Sequence, residues 1–246
     1  MLFLGLISGG KDSIYNMQMC VQNGHTPVCL LNMQMEKEKD SFMFQYAGGS
    51  VLPAIAECLD LPLHQFPTSG VSKERGLDYS ISENDEIEDL FAAISSLLKI
   101  YSFSGVSVGA ISSVYQYNRV KNVCDRLGLE ILGYIWGMNQ KVLLDKMIED
   151  GICAIIVKGG EYLNNLVGET LIEVRQKYSA YIQEQIEKYK GLKEESFNLC
   201  GEGGEYETIT LDAKIYKKRI EIVRSDLVEV DGVKTLNILE CRTVPK

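Results

Sequence analysis

The first twenty-odd residues restrict the fold more than any other stretch of this chain. An apolar run, Leu2–Ile7, stops on Ser8-Gly9-Gly10-Lys11-Asp12-Ser13. A helix-period segment, Asp12–Asn23, follows with Ile14, Met17 and Val21 on one face. An apolar strand that meets consecutive glycines and passes straight into an amphipathic helix opens a strand–turn–helix unit. The alternation continues. Pro27–Met33 reads as a strand, about Phe42 to Leu59 as a helix, and a further strand begins near Leu63. Asp85–Lys99 is the clearest helix, with Ile87, Leu90, Phe91, Ile94, Leu97 and Leu98 on one stripe, and Ser82 and Asp85 stand at capping-box spacing. Gly105–Ala110 is a strand, Tyr115–Leu127 a helix, and a strand lies near Leu129–Leu132. Such alternation predicts βαβ units: an α/β, Rossmann-like parallel sheet with helices on both faces.

The second half changes character. Gly133–Gln140 reads as a junction, Val142–Ile148 as a helix and Ile152–Val157 as a strand. A long polar helix is expected over roughly 168–190, with Leu171, Val174, Tyr178, Tyr181, Ile182 and Ile186 as its stripe. The tail from Thr208 to Cys241 is strand-like and partly antiparallel. No internal repeat or low-complexity linker divides the chain. Two packed subdomains are expected, 1–132 and a smaller α+β unit over 133–246, and the polar segment Thr68–Asn84 is the candidate mobile loop.

Composition removes several classes of function. No apolar run approaches the roughly 20 residues of a membrane span, and the apolar N-terminus lacks the basic region of a signal peptide. A cytoplasmic protein with no membrane association is expected. Seven dispersed cysteines without a C-x-x-C pair suit a reduced intracellular chain, and two distant histidines argue against a His-rich zinc site or a Ser-His-Asp triad. With 25 basic and 34 acidic residues the net charge is −9, against stable nucleic-acid binding but compatible with docking on a basic protein.

The glycine turn carries the chemistry. Gly9 and Gly10 permit close backbone approach, the helix start points N–H groups at an anion, and Ser8, Ser13 and Lys11 add donors and charge. Asp12 is out of place beside phosphate unless a divalent cation accompanies it, so Asp12 implies Mg²⁺. The string is neither G-x-x-x-x-G-K-[ST] nor G-x-G-x-x-G. Spacing alone leaves it either a phosphate cradle or a plain strand–helix turn with a serine cap. Glu202-Gly203-Gly204-Glu205-Tyr206-Glu207-Thr208 packs three carboxylates into seven residues. It reads either as an acidic surface turn or as a pocket recognising a cation, with Glu202 and Glu205 the preferred pair. After Gly109-Ala110, at the carboxyl edge of the sheet, Ser112, Gln116 and Arg119 face a substrate, or Arg119 makes a salt bridge. Asn139-Gln140, Trp136 and Lys158 are weaker candidates.

The six residues Ser8–Ser13 resemble the S-G-G-x-D-S pyrophosphate loop of ATP pyrophosphatases, which cleave ATP between the α- and β-phosphates. Together with Asp40–Gln45, Asp85–Leu90, Gly109–Cys124, Trp136 and Glu202–Thr208, the chain resembles the diphthine–ammonia ligase family, N-type ATP pyrophosphatases of HUP-type fold. That resemblance implies a nucleotide-binding domain over 1–132 and a substrate-binding subdomain over 133–246. It implies that diphthine on elongation factor 2 is amidated with ammonium and ATP through an acyl-adenylate, releasing AMP and pyrophosphate. Asp12, Lys11, Glu202 and Glu205 are then the catalytic candidates. Ser8–Ser13 would bind ATP and its pyrophosphate, and Gly203, Gly204, Tyr206, Glu207 and Thr208 would join Ser112, Gln116 and Arg119 around the substrate.

The chain departs from the family pattern at Asn84, Gly48-Gly49-Ser50 and Gly159–Tyr162, and extra C-terminal domains of some relatives are not expected here. Three alternatives stay in view. A tRNA-modifying member of the loop superfamily would bring a basic RNA-binding module and often a C-x-x-C pair. A glutamine-dependent amidotransferase would need an N-terminal cysteine where this chain has Leu2. A HUP-class module would bind nucleotide without turnover.

Overall fold

The computed structural model describes residues 1–35, 41–68, 70–160, 163–189, 193 and 197–246. Five strands, β1 (Leu2–Leu6), β2 (Thr26–Met35), β3 (Leu63–Thr68), β4 (Gly105–Ser107) and β5 (Glu130–Leu132), form one sheet in the order β3-β2-β1-β4-β5. Every neighbouring pair is parallel, and Leu4 stands beside Cys29 on one side and Val106 on the other. Each strand returns through a helix: α1 (Lys11–Gln22), α2 (Leu52–Leu59), α3 (Glu86–Leu97) and α4 (Val114–Leu127). Because strand side chains alternate, Phe3 and Leu30 enter the core beneath α1 and α2, while Leu4 and Leu31 enter the core beneath α3 and α4. The order reverses between β1 and β4, which sets a crevice at the carboxyl ends of those two strands.

The rest of the chain adds α5 (Gln140–Glu149), β6 (Cys153–Gly159), α6 (Leu171–Lys188), β7 (Tyr206–Asp212), β8 (Lys218–Val230) and β9 (Val233–Pro245). The four strands form an antiparallel sheet in the order β7-β6-β9-β8. Asp231 and Gly232, at φ 51° and 79°, close the long β8–β9 hairpin in the left-handed conformation that a two-residue turn requires. One hydrophobic core runs through both sheets, joining Phe3, Ile14 and Ile55 to Leu144, Ile209 and Ile220.

Several elements differ from the sequence expectation. The segment Phe42–Leu59 is helical only from a 3₁₀ turn at Gly49–Val51 onward, because Gly48 holds φ 78° and a Cβ there would meet Ile209. Asp85, not Ser82, caps α3: its carboxylate accepts from Ile87 N, and the true capping box is Thr170 with Glu173 at α6. The strand expected over Gly105–Ala110 ends at Ser107. All of the second sheet is antiparallel rather than part of it, and β9 extends to Pro245. Lys190, the expected end of the long helix, lies outside the described residues, as does Asp40.

The 68–84 loop, the expected mobile segment, is fastened over its first half by buried side chains. Asp85 accepts from Lys73 N and Glu74 N, the buried Glu86 accepts from Ser41 and Ser72, and Thr68 donates to Asp89. The acidic start of α3 is thus spent on loop and cap hydrogen bonds. Burial lifts the pKa of Glu86, and the two serine hydroxyls hold it down in part.

Candidate active site

The glycine turn sits at the crevice and is assembled from both sheets. Gly9 takes φ 86°, and Gly10 caps α1 with extended backbone and no side-chain hydrogen bond of its own. The cap comes from 197 residues away, where Thr208 on β7 accepts from Lys11 N through Oγ1 at 3.0 Å. Thr210 N donates to Gly9 O at 2.9 Å, and Gln45 Nε2 donates to Thr208 O at 3.1 Å. Ser13 Oγ donates to Gly10 O, while Ser8 Oγ accepts from Gly10 N. The carboxyl end of β4 closes the other side. A Cβ on Gly109 would lie 2.7 Å from Ser13 N, so only glycine allows this approach.

Lys11 is buried rather than extended toward solvent. Its ammonium donates to Cys200 O and, at 2.9 Å, to Asp12 Oδ2, and it lies 5.2 Å from the Tyr206 ring centre. Asp12 Oδ1 is buried without a hydrogen-bond partner. Burial raises the Asp12 pKa; the Lys11 ammonium opposes that rise and the Glu202 charge adds to it. A carboxylate on the cleft wall with one oxygen unpartnered fits a hard cation. Among the described residues no group of three or more His, Cys, Asp or Glu side chains gathers to hold a metal. Mg²⁺ does not need one, since it is held by one or two carboxylates with phosphate oxygens and water. Asp12 is the residue that fits it.

The 201–208 segment lies across the crevice, but two of its three carboxylates face backbone rather than open space. Glu202 reaches the N-terminus of α4. Its Oε1 accepts from Ile111 N at 2.6 Å and Ser113 N at 3.1 Å, and its Oε2 accepts from Ser112 N at 2.7 Å and Ser112 Oγ at 2.5 Å. The helix N-terminus favours that negative charge. Glu205 folds back, accepting from Asn198 N at 2.7 Å and Gly203 N at 2.8 Å. Tyr206 is buried and donates to Leu199 O, Gly160 N donates to Glu205 O, and a Cβ on Gly160 would strike Gly204 O. Of the two carboxylates that read in sequence as a cation site, Glu202 thus fastens this loop to the start of α4, and Glu205 ties the loop to itself.

A cleft of about 940 Å³ opens between these parts, within the range of small-molecule sites. Ser8, Lys11, Asp12, Ser13, Gln116, Glu202, Gly203, Gly204, Tyr206, Glu207 and Thr208 all line it, with Phe42–Gln45, Val108–Ala110 and Lys158–Gly160. Gln116 donates to Phe42 O at 2.8 Å. Ser112 and Arg119 are not on its walls. Ser112 is turned onto Glu202, and Arg119 is fully buried, donating to the Glu74, Gly76 and Tyr115 carbonyls with its guanidinium 3.3 Å from the Tyr115 ring centre. Among the described residues it makes no salt bridge, and it stands off the cleft wall where a substrate contact was expected. Of the weaker candidates, Asn139 caps α5, Gln140 bonds Asn198 and Cys200 N, and Trp136 stacks on Tyr117 with ring centres 4.2 Å apart. Lys158 lines the cleft.

Two further residues at the site were not singled out in the sequence. Asn16, fully buried on α1, donates to Ser107 Oγ and Leu132 O and accepts from Tyr134 N, so one amide joins α1, β4, β5 and the following turn. Its only trace is a polar residue on the inward side of an amphipathic helix. The other is Arg75, which lines the cleft from the 68–84 loop.

Comparison with known proteins adds the following. Residues 1–131 match the family model described as diphthamide synthase N-terminal domain, and residues 179–238 match the diphthamide synthase C-terminal domain. A mouse protein named diphthine–ammonia ligase is 42% identical over 232 residues, covering 91% of this chain and 83% of that protein. The zebrafish protein of that name is 41% identical, covering 93% of this chain and 89% of its own. The fission-yeast protein of that name is 43% identical over 93% of this chain, which spans 37% of the length of that relative.

Proposed function

The chain belongs to the diphthamide synthase family, and from that premise we propose that it is a diphthine–ammonia ligase. It would use ATP to amidate the diphthine carboxylate on elongation factor 2. The observation that carries this reading is the S-G-G-K-D-S turn at the β1/β4 crevice, capped by Thr208 of the other sheet and opening into one cleft with the 201–208 segment. Residues 1–132 form the nucleotide-binding part and 133–246 the acceptor-binding part. Among the described residues no helix is long and apolar enough to cross a membrane, and we place the reaction in the cytosol beside its protein substrate.

The chemistry follows from what each group supplies. A carboxylate is a poor acyl donor, so it attacks the α-phosphorus of ATP, and pyrophosphate leaves with the bonding electrons. Ammonia, formed when ammonium gives up a proton, then attacks the acyl-adenylate carbonyl; AMP leaves and a second proton is lost. Ser8 and Ser13 line the cleft at the start of α1, where negative charge grows on the departing group. Mg²⁺, held through Asp12, would supply charge neutralisation at the phosphates. Lys11 sets the Asp12 carboxylate. The acidic 202–207 segment attracts ammonium and the trimethylammonium of diphthine, with Glu207 on the cleft wall and Glu202 and Glu205 fixing the segment's shape.

The test is direct. Incubating the protein with diphthine-bearing elongation factor 2, ammonium and Mg-ATP should release AMP in step with amide formation by mass spectrometry. Release of ADP, or AMP without amide, overturns the reading. A pure nucleotide-binding module would bind ATP and give neither product.

A further inference from the structure

The loop between β3 and α3 is fastened by more buried charge than its length explains. Arg119 is fully buried and grips two carbonyls of this loop, Glu74 O at 2.5 Å and Gly76 O at 3.1 Å. Asp85 takes the preceding N–H groups, Lys73 N at 2.8 Å and Glu74 N at 3.3 Å, and Tyr115 OH donates to Glu74 O at 3.4 Å. The desolvation cost of that buried guanidinium is offset by the carbonyls, the Tyr115 and Tyr79 ring faces and the charge of Glu86. All of these contacts converge on the residues flanking one position, Arg75. The Arg75 side chain is exposed and lines the cleft, and among the described residues it makes no ion pair or hydrogen bond. A side chain left open on a backbone this constrained is pre-organised for a partner not in the chain.

Charge identifies the partner. Three carboxylates, Asp12, Glu202 and Glu207, share the cleft wall with the cations Lys11, Lys158 and Arg75. The Lys11 ammonium is committed to Asp12 and Cys200 O. A guanidinium that faces a cleft with its donors open takes two oxygens of a phosphate or a carboxylate side by side. We propose that Arg75 is an oxyanion-binding residue of this cleft, presented by a loop that Arg119 and Asp85 hold in place. Its ligand is a phosphate of the nucleotide or the carboxylate of the acceptor. Naming those two oxyanions rests on the ligase reading; the site itself rests on the loop geometry.

The experiment titrates magnesium pyrophosphate into the intact protein and into Arg75→Ala by calorimetry, and measures the KM of the protein acceptor for both. Arg75→Ala should melt with the parent, since the side chain is exposed and has no internal partner. A loss of at least about tenfold in pyrophosphate affinity, the size of one charge-assisted contact, assigns the phosphate. Unchanged pyrophosphate affinity with at least about a tenfold rise in acceptor KM assigns the carboxylate. No change in either overturns the proposal. Arg119→Lys keeps a charge but loses the fork, so combined with Arg75→Ala it should add nothing to the binding loss; full additivity would sever Arg119 from Arg75. If the parent protein makes no amide yet the pyrophosphate arm responds, the ligase reading fails and this site stands.

Discussion

Replacing Glu202 by glutamine separates a structural carboxylate from a chemical one. The carboxylate accepts from three backbone N–H groups and one hydroxyl, spread over both oxygens. Glutamine has one acceptor oxygen and an amide that only donates, so at the Oε2 place the Ser112 N–H meets a second donor, the Ser112 hydroxyl turns to accept, and every remaining contact loses its charge. Hydrogen bonds to a charged group are worth about 1.5–3 kcal/mol each against about 1 kcal/mol for neutral ones, so one lost bond and three weakened ones amount to about 3–6 kcal/mol before screening. Ser112 stands at the exposed end of this contact, and solvent there reduces the net effect to about 2–3 kcal/mol. For a chain of this size each kcal/mol moves Tm by about 2–4 °C, so Glu202→Gln should melt about 4–12 °C below the parent. The pinned 201–208 segment also carries Thr208, the cap of α1, so the KM for ATP should rise with the loss of stability. The assay is a calorimetric melt beside steady-state AMP release. A variant that melts within a degree of the parent while turnover collapses would refute the reasoning, because the carboxylate would then act on substrate rather than on the fold.

Asp12→Asn should abolish turnover, and it takes the counter-charge from the buried Lys11 ammonium, so its effect on stability is read from its pH dependence. Burial raises the folded pKa of Asp12, so between 3.8 and that raised value the folded chain holds a proton the unfolded chain has released, and stability falls as pH rises through this window. The Tm of Asp12→Asn relative to the parent should therefore rise from pH 4 toward neutrality in paired melts; a relative Tm that falls with pH contradicts the assignment. Gly109→Ala would drive a methyl to 2.7 Å from Ser13 N, a backbone atom that cannot yield cheaply. A loss of about 2 kcal/mol or more by denaturant unfolding and weakened ATP binding are expected together. Asn16→Ala should cost about 2–3 kcal/mol by the same measurement, since it takes the acceptor from the Tyr134 N–H and one of two donors from the Leu132 carbonyl, which keeps Val108 N. A loss under 1 kcal/mol would mean those groups find other partners.

The strand–helix alternation, the glycine turn and the acidic 202–207 segment were legible in the sequence because each is a local pattern. Periodicity states which face of an element is buried, and two glycines state where backbone must come close. The same local logic misplaced the start of α2, where Gly48 interrupts the helix to clear Ile209, and misassigned the cap of α3. The resemblance carried by those motifs reached the family. What the sequence could not determine is which distant groups complete each motif. Thr208 caps a helix 197 residues before it, and Glu202 binds backbone about 90 residues away. Arg119 closes on a loop some 43–45 residues earlier rather than on a ligand. Hydrogen bonds of this kind depend on the packing of two sheets around one core, and no spacing along the chain encodes them. The carboxylates were therefore visible from the start, while their division into those that hold the cleft and those that face it was decided only when the sheets came together.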